Sequence, residues 1–149
     1  HLTINNRVLE DQPFDLVIST HVCRGNYHST WAARGGYLPI APLLFAREKV
    51  HTLYLEFDDE RSGGFAPLRY VSPDKTVVLG LVTTKRPDLE DPERIRERIK
   101  EAAQYVPLSR LSLSPQCGFA STEIGNKLTE EDQWKKIALV RDIAQTVWG

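Results

Sequence analysis

Short apolar segments alternate along this chain with longer amphipathic ones, and this alternation constrains the fold more than any other feature. The apolar segments predict strands at 16–18, 52–57, 76–82 and 110–114, and the amphipathic ones predict helices at 2–11, 39–49, 92–105 and 130–147, with a short helix at 65–71. Alternating strands and helices build a parallel sheet with helices outside it. Four strands are too few for a closed parallel barrel, which needs eight strands and roughly 250 residues. The pattern therefore predicts an α/β fold, either an open four-stranded sheet or half of a barrel.

Capping residues and periodicity support the two C-terminal helices. Asp91 precedes Pro92 in the manner of an N-cap followed by a first-turn proline. Thr129 is followed by three acidic residues, which favour a helix N-terminus. The apolar stripe predicted for the last helix consists of Trp134, Ile137, Val140, Ile143 and Val147.

Composition limits the classes of function. The 149 residues are 41% apolar and carry a formal net charge of -1, which suits one globular core. A nucleic-acid surface needs a basic excess, and a membrane span needs roughly 20 consecutive apolar residues, so we expect neither partner. The chain opens without a secretory signal, and we expect a cytoplasmic protein. It begins at His1 and contains no methionine, which leads us to expect a piece of a longer protein.

Potential metal ligands follow the predicted strands. Cys23 and His21 come after the first strand, Glu56 lies at the end of the second, and Cys117 follows the fourth. An imidazole, two thiols and a carboxylate are ligands that zinc accepts, and the ends of parallel strands are where α/β proteins place their chemistry. A disulfide between the cysteines fits less well, because it would leave His21 without a role. The spacing also permits a plainer interpretation, in which Cys117 is a small buried side chain and His21 a hydrogen-bonded loop residue.

An acidic loop follows Glu56 directly. Asp58, Asp59, Glu60 and Arg61 either orient Glu56 as neighbours of a metal ligand or form an ordinary solvated loop.

Several motifs carry a resemblance to a known family. The segments concerned are His21–Cys23, Leu55–Asp58, Ser114–Gly118, Cys23–Asn26, Asp58–Gly63 and Gly118–Thr122. The first three resemble segments of the C-terminal catalytic barrel of cobalamin-independent methionine synthase. The last three resemble more closely its shorter bacterial relatives, the methionine synthase II-like proteins. The resemblance extends from about residue 14 to Gly149.

The resemblance implies a fold, an activity and a metal site. The fold would be α/β, with residues 1–149 a single domain whose parallel βα units form the C-terminal half of a TIM barrel, its last four units. The activity would be that of a 5-methyltetrahydropteroyltriglutamate–homocysteine S-methyltransferase, in which Zn²⁺ activates the homocysteine thiol for methyl transfer from 5-methyltetrahydrofolate, giving methionine. The family's zinc ligands correspond to His21, Cys23, Glu56 and Cys117. The implied partners are a small-molecule thiol and a methyl donor.

The chain departs from the family in two ways. The full synthases carry a histidine, proposed to assist the folate leaving group, where this chain has Lys85. Lys85 would be a general acid or an anion contact, or else a solvated loop residue. The family's contacts to the amino and carboxyl groups of the substrate lie largely upstream of this chain. Half a barrel also exposes two sheet edges, so we expect a homo-oligomer or association with the missing half-barrel.

Two alternatives remain from the sequence. The zinc–thiol chemistry could serve another donor or acceptor, in an alkyl transfer between other thiol and donor pairs. The chain could also be an inactive fragment with a structural zinc site, although such sites are usually closed by four firm, cysteine-rich ligands.

Overall fold

Four strands form one parallel sheet in which the spatial order follows the chain order. The computed structural model describes residues 2–149. Its strands are β1 (Ser19–Val22), β2 (Thr52–Glu56), β3 (Thr76–Val82) and β4 (Leu111–Pro115). Its α-helices are α1 (Leu2–Val8), α2 (Ala41–Arg47), α3 (Pro92–Ala102) and α4 (Glu130–Trp148), and 3₁₀ turns occupy Glu60–Ser62, Ala66–Tyr70 and Leu108–Arg110. The predicted α/β architecture of parallel βα units is confirmed.

The two faces of the sheet differ in burial. In β2, Leu53 and Leu55 are at most 1% exposed, whereas Tyr54 between them is 39% exposed. Successive side chains of a strand point to opposite faces, so Leu53 and Leu55 face the helices and Tyr54 faces the other side. The next strand, β3, is buried from Val77 to Val82. The packed face contacts Phe45 of α2 and Ile99 of α3 within one apolar core.

Side-chain caps define where the two C-terminal helices begin. The Asp91 carboxylate accepts a hydrogen bond from the Glu93 N–H at 2.9 Å, and Pro92 occupies the first turn of α3. At α4, Thr129 and Asp132 form a reciprocal capping box. Both predicted caps are confirmed.

The first predicted strand lies in the wrong place. Residues 16–18 form no strand, and Leu16 and Val17 are 44% and 74% exposed. Strand β1 begins instead at Ser19, whose partner Thr52 is the first residue of β2. The apolar character of 16–18 indicated burial, but a strand needs a paired neighbour, and within the described residues the neighbour starts at Thr52.

The apolar stripe predicted for α4 is only partly buried. Ile143 is 1% exposed, while Trp134 near the N-terminus of the helix is 57% exposed. The fully buried side chain in that half of the helix is Lys136, which donates to the Asp88 carbonyl at 2.6 Å and pairs with Glu90 at 3.1 Å. Periodicity alone does not reveal a buried lysine whose partners lie more than 40 residues away.

Among residues 2–149, no helix combines the length and the apolarity that crossing a bilayer requires.

Candidate metal centre

The four predicted ligands meet at the carboxyl end of the sheet. His21 lies in β1 and Cys23 one residue beyond it, Glu56 is the last residue of β2, and Cys117 follows β4 by two residues. Their ligand atoms all lie within 4.8 Å of one another. One imidazole nitrogen, two sulfurs and one carboxylate oxygen form a donor set that suits zinc, because thiolates select against magnesium and calcium. The residues present therefore fit the metal that the sequence predicts.

His21 and Cys117 change each other's protonation. The adjacent Cys117 thiol, together with the Glu56 carboxylate, raises the pKa of His21 to about 10. The adjacent His21 imidazole in turn lowers the pKa of Cys117 to about 7. An imidazolium beside a thiolate is the arrangement that favours the charged form of both groups.

Glu56 is buried and accepts hydrogen bonds on both oxygens. Its Oε1 accepts from Gln116 Nε2 at 2.6 Å and lies 3.5 Å from His21 Nε2. Its Oε2 accepts from the Arg24 backbone N–H at 3.2 Å and from the Arg61 guanidinium at 3.4 Å. Burial raises the pKa of Glu56, but the hydrogen bonds from His21 and Gln116 outweigh it and hold the pKa below its ordinary value. Glu56 is therefore an anion with a fixed orientation.

Tyr37 and Arg24 hold the main chain of Glu56. The Tyr37 hydroxyl accepts from the Glu56 N–H at 2.8 Å and lies 3.2 Å from its carbonyl oxygen, to which it donates. The Arg24 guanidinium donates to the same carbonyl and stacks 3.9 Å from the centre of the Tyr37 ring. Tyr37 is 1% exposed, so it supports β2 from the core.

The acidic loop after β2 folds around Arg61. The Arg61 guanidinium donates to Asp58 at 3.1 Å and to Asp59 at 2.5 Å, in addition to Glu56. The side chains of Arg61 and Asp58 are 4% and 1% exposed, so these two form a buried ion pair, and Arg61 also contacts Glu56. Glu60 in the same loop is exposed.

Two asparagines connect the loops that carry the cysteines. Asn26, three residues after Cys23, donates to the Gly118 carbonyl at 2.6 Å and to Ser121 Oγ at 2.8 Å. Asn126 donates in turn to the Asn26 side-chain oxygen at 2.8 Å. These contacts span up to 100 residues of sequence and fix the Cys23 loop relative to the Cys117 loop.

Lys85 lies beside this cluster and is buried. Its Nζ donates to Gln116 Oε1 at 2.6 Å and lies 4.0 Å from Asp58 Oδ2. Burial lowers the pKa of Lys85, and the nearby carboxylate of Asp58 only partly opposes this. The solvated-loop interpretation of Lys85 does not agree with its 7% exposure.

Sequence reasoning identified the groups that can bind metal and overlooked those that hold them. His21, Cys23, Glu56 and Cys117 are brought together, and Lys85 reaches Glu56 only through Gln116. The residues not anticipated as supports are Arg24, Asn26, Tyr37, Gln116 and Asn126. One signal was available for Gln116, since a polar residue directly before a potential ligand at a strand end is well placed to contact a second ligand.

Comparison with known sequences gives a consistent assignment. Residues 13–145 match the family model described as the catalytic domain of cobalamin-independent synthase. Two Bacillus subtilis (strain 168) proteins, YxjG and YxjH, are each 55% identical to this chain, over 144 and 147 residues. The matches cover 96% and 98% of the chain but only 38% and 39% of the relatives. The chain thus spans about two fifths of the length of these relatives.

Two solved structures have the same fold. A provisionally identified vitamin-B12-independent methionine synthase from Listeria monocytogenes superposes with a TM-score of 0.74 at 43% identity, covering 97% of this chain and 39% of that one. A B12-independent methionine synthase from Shewanella sp. W3-18-1, solved with selenomethionine, gives a TM-score of 0.76 at 16% identity, covering 98% of this chain and 42% of that one. These structures confirm the predicted fold class, in which parallel βα units form half of a barrel.

Proposed function

The chain belongs to the family of cobalamin-independent synthase catalytic domains, and from this premise we propose that it carries the zinc-binding, thiol-activating part of a methyltransferase. The observation that carries the proposal is the convergence of His21, Cys23, Glu56 and Cys117 within 4.8 Å at one end of a parallel sheet. We propose these four side chains as the zinc ligands. Zinc, when bound, favours the thiolate form of a coordinated substrate thiol, which is the nucleophilic form.

The reaction proposed is transfer of a methyl group from 5-methyltetrahydrofolate to homocysteine. The thiol loses its proton, the sulfur–methyl bond forms as the N5–methyl bond breaks, and the folate nitrogen gains a proton, which gives methionine. The residues of this chain contribute by holding the ligand set in place. Arg24 and Arg61 donate to Glu56 and keep its carboxylate ionised and oriented.

Lys85 is proposed as the group that assists the departing folate nitrogen. Its side chain is buried beside the ligand cluster, and burial lowers the pKa of its ammonium. A lowered pKa makes an ammonium a better proton donor near neutral pH. Lys85→Arg keeps the positive charge and removes this acidity, so we expect kcat of the whole enzyme to fall while KM changes little.

We further propose that additional βα units outside this chain complete the barrel and its substrate pocket. Residues 1–149 would be the last four βα units of an eight-unit barrel. The chain covers 38% of one relative and 39% of one solved structure, so both are longer than this chain. The remaining units would supply the contacts to the amino acid and to the methyl donor. A cytoplasmic setting suits the site, because Cys23 and Cys117 are both free and reducing conditions keep them so.

Replacing Cys117 with serine tests the metal site. We expect Cys117→Ser to bind zinc at least tenfold more weakly, because an uncharged hydroxyl is a poor substitute for a thiolate. The circular dichroism spectrum of the protein should not change. The control is Ser112→Ala, an exposed position on β4, the strand that Cys117 follows. Unchanged zinc affinity in Cys117→Ser would contradict the proposed ligand set, and unfolding would instead favour a structural zinc site.

A methylation assay on a protein that contains this chain and the remaining barrel units distinguishes the donors. Methionine formation from homocysteine and 5-methyltetrahydrofolate is the expected result. Zinc binding together with activity only toward another thiol or another methyl donor would favour the alternative alkyl transfer.

A further inference from the structure

We propose that Gln116 is a positioning residue for Glu56, and that Thr84 and Lys85 fix the direction of its amide. This role rests on the proposed function, because it concerns the placement of one of the proposed zinc ligands. Gln116 is 2% exposed and Glu56 is fully buried, so solvent does not compete for the hydrogen bond between them.

The direction of the Gln116 amide follows from its neighbours. Lys85 Nζ lies 2.6 Å from Gln116 Oε1, and Thr84 Oγ1 lies 3.0 Å from the same oxygen. An ammonium can only donate, so the amide oxygen must face Lys85. The amide nitrogen is then left to donate to Glu56 Oε1 at 2.6 Å. The reversed amide would place two donors together and bring an oxygen against the carboxylate.

The oxygen that Gln116 holds is the one that faces the other ligands. Glu56 Oε1 lies 3.5 Å from His21 Nε2, whereas Oε2 is occupied by Arg24 and Arg61 on the other side. A hydrogen bond to an ionised group is about twice as strong as one between neutral groups. Gln116 therefore restrains the oxygen that is placed to reach a metal ion.

The backbone of Gln116 is itself fixed by the sheet. Its N–H donates to the Val82 carbonyl at 2.7 Å. Its Cα packs closely on Gly80, because a Cβ added to Gly80 would lie only 3.0 Å from it. The next residue along the chain is Cys117. One short segment thus supplies one ligand and positions a second, which couples the geometry of Cys117 to that of Glu56.

A double-mutant cycle on zinc affinity tests this role. Gln116→Glu keeps an acceptor for Lys85 and Thr84 but replaces the donor that faces Glu56, and Gln116→Met removes both functions at similar volume. We expect each to weaken zinc binding by about 10- to 100-fold, measured by competition with a chromophoric chelator. In the Glu56→Gln background the same substitutions should cause little further loss, since the group they position is already altered.

Gln104→Glu provides a matched control, because Gln104 is an exposed glutamine beyond α3. The zinc affinity of this variant should equal that of the unmodified chain. Wild-type affinity in both Gln116 variants would overturn the inference. An equal loss in the presence and absence of the Glu56→Gln change would also overturn it, because a general packing defect is additive with that change.

A second cycle separates this inference from the proposed function. Urea unfolding in the presence of a chelator measures whether the effects of Gln116→Met and Glu56→Gln on stability are non-additive without any metal. If the unmodified chain fails to bind zinc, the proposed function fails, and the unfolding cycle still decides whether Gln116 holds Glu56. Non-additive effects support the contact, and additive effects overturn it.

Discussion

At the scale of single residues, the site combines charged groups that would be costly to bury separately. Glu56 is buried, yet its pKa is held low because four donors surround its carboxylate. The pKa of Asp58 is shifted in the opposite direction, because burial raises it despite the nearby charges of Arg61 and Lys85. The difference follows from hydrogen bonding, because one oxygen of Asp58 is buried without a hydrogen-bond partner.

Zinc affinity should depend on pH through the ligands themselves. With a pKa of about 10, His21 is protonated between pH 6 and 8, and Cys117, with a pKa of about 7, is protonated at the lower end of this range. Metal binding must displace these protons, so lowering the pH opposes binding. We expect zinc affinity to rise about tenfold or more per pH unit from pH 6 to 8, with the steeper part below pH 7.

Chelator competition at constant ionic strength measures this dependence. His28→Gln serves as the control, because it changes a histidine of the neighbouring loop that is not among the proposed ligands, and its pH profile should match that of the unmodified chain. A flat profile would contradict the assignment of His21 and Cys117 as ligands.

At the scale of structural elements, the loops after the strands are tied together by side chains. Asn126 donates to Asn26 and to the Thr84 carbonyl, both at 2.8 Å, and accepts from the Ser29 N–H at 2.9 Å. The loops after β1, β3 and β4 therefore share one anchoring residue. Sites on loops are less precise than sites on strands, and these hydrogen bonds restrict the movement of the loops that carry the candidate ligands.

Replacing Asn126 with alanine should loosen the site without removing a ligand. Three hydrogen bonds are lost, so we expect the free energy of unfolding to fall by about 1–3 kcal/mol and zinc affinity to fall as well. The control is Asn6→Ala at the far end of the chain, which loses hydrogen bonds to the Arg47 carbonyl and from the Lys49 N–H. Urea unfolding and chelator competition should separate the two variants, and an equal zinc affinity in both would contradict the bracing role.

Glycine at position 80 is required where β3 passes under Gln116. A Cβ at this position would lie 3.0 Å from Gln116 Cα and 3.1 Å from the Leu55 carbonyl oxygen, both backbone atoms. We expect Gly80→Ala to destabilise the protein by about 1–3 kcal/mol, the usual effect of overpacking. Gly64→Ala is the matched control, because nothing lies within 4 Å of its Cβ position. Equal unfolding midpoints in urea would contradict the steric requirement.

At the scale of the whole molecule, the sheet has two unpaired edges. Within residues 2–149, β1 pairs only with β2, and β4 pairs only with β3. Phe14 is fully exposed and Val17 is 74% exposed. Both precede β1 in the chain, and β1 has one unpaired edge. Unpaired edges beside exposed apolar side chains tend to recruit another strand.

This surface predicts association. We expect the chain in solution to form a dimer or larger oligomer, or to bind the missing units of the barrel. Sedimentation velocity over a range of concentrations measures this, and Phe14→Ser together with Val17→Ser should shift the distribution toward the monomer. A monomer at every concentration would contradict the half-barrel interpretation of the surface.

The sequence by itself determined the alternation of strands and helices, because hydrophobic periodicity and helix caps are local properties of the chain. It also predicted the candidate metal ligands, since His21, Cys23, Glu56 and Cys117 each stand at or near a strand end. The third strand, Thr76–Val82, coincides with its predicted range because its apolar, β-branched composition is also a local property.

Only the tertiary structure decided which groups hold the site together. The start of β1 depends on pairing with Thr52, and Leu16 and Val17 before it are exposed, so the local prediction of a strand at 16–18 was wrong. The contact from Gln116 to Glu56 joins residues 60 positions apart, and that from Asn126 to Asn26 joins residues 100 apart. Hydrogen bonds of this kind depend on the distance between atoms in space, which the order of residues along the chain does not specify until the sheet has formed.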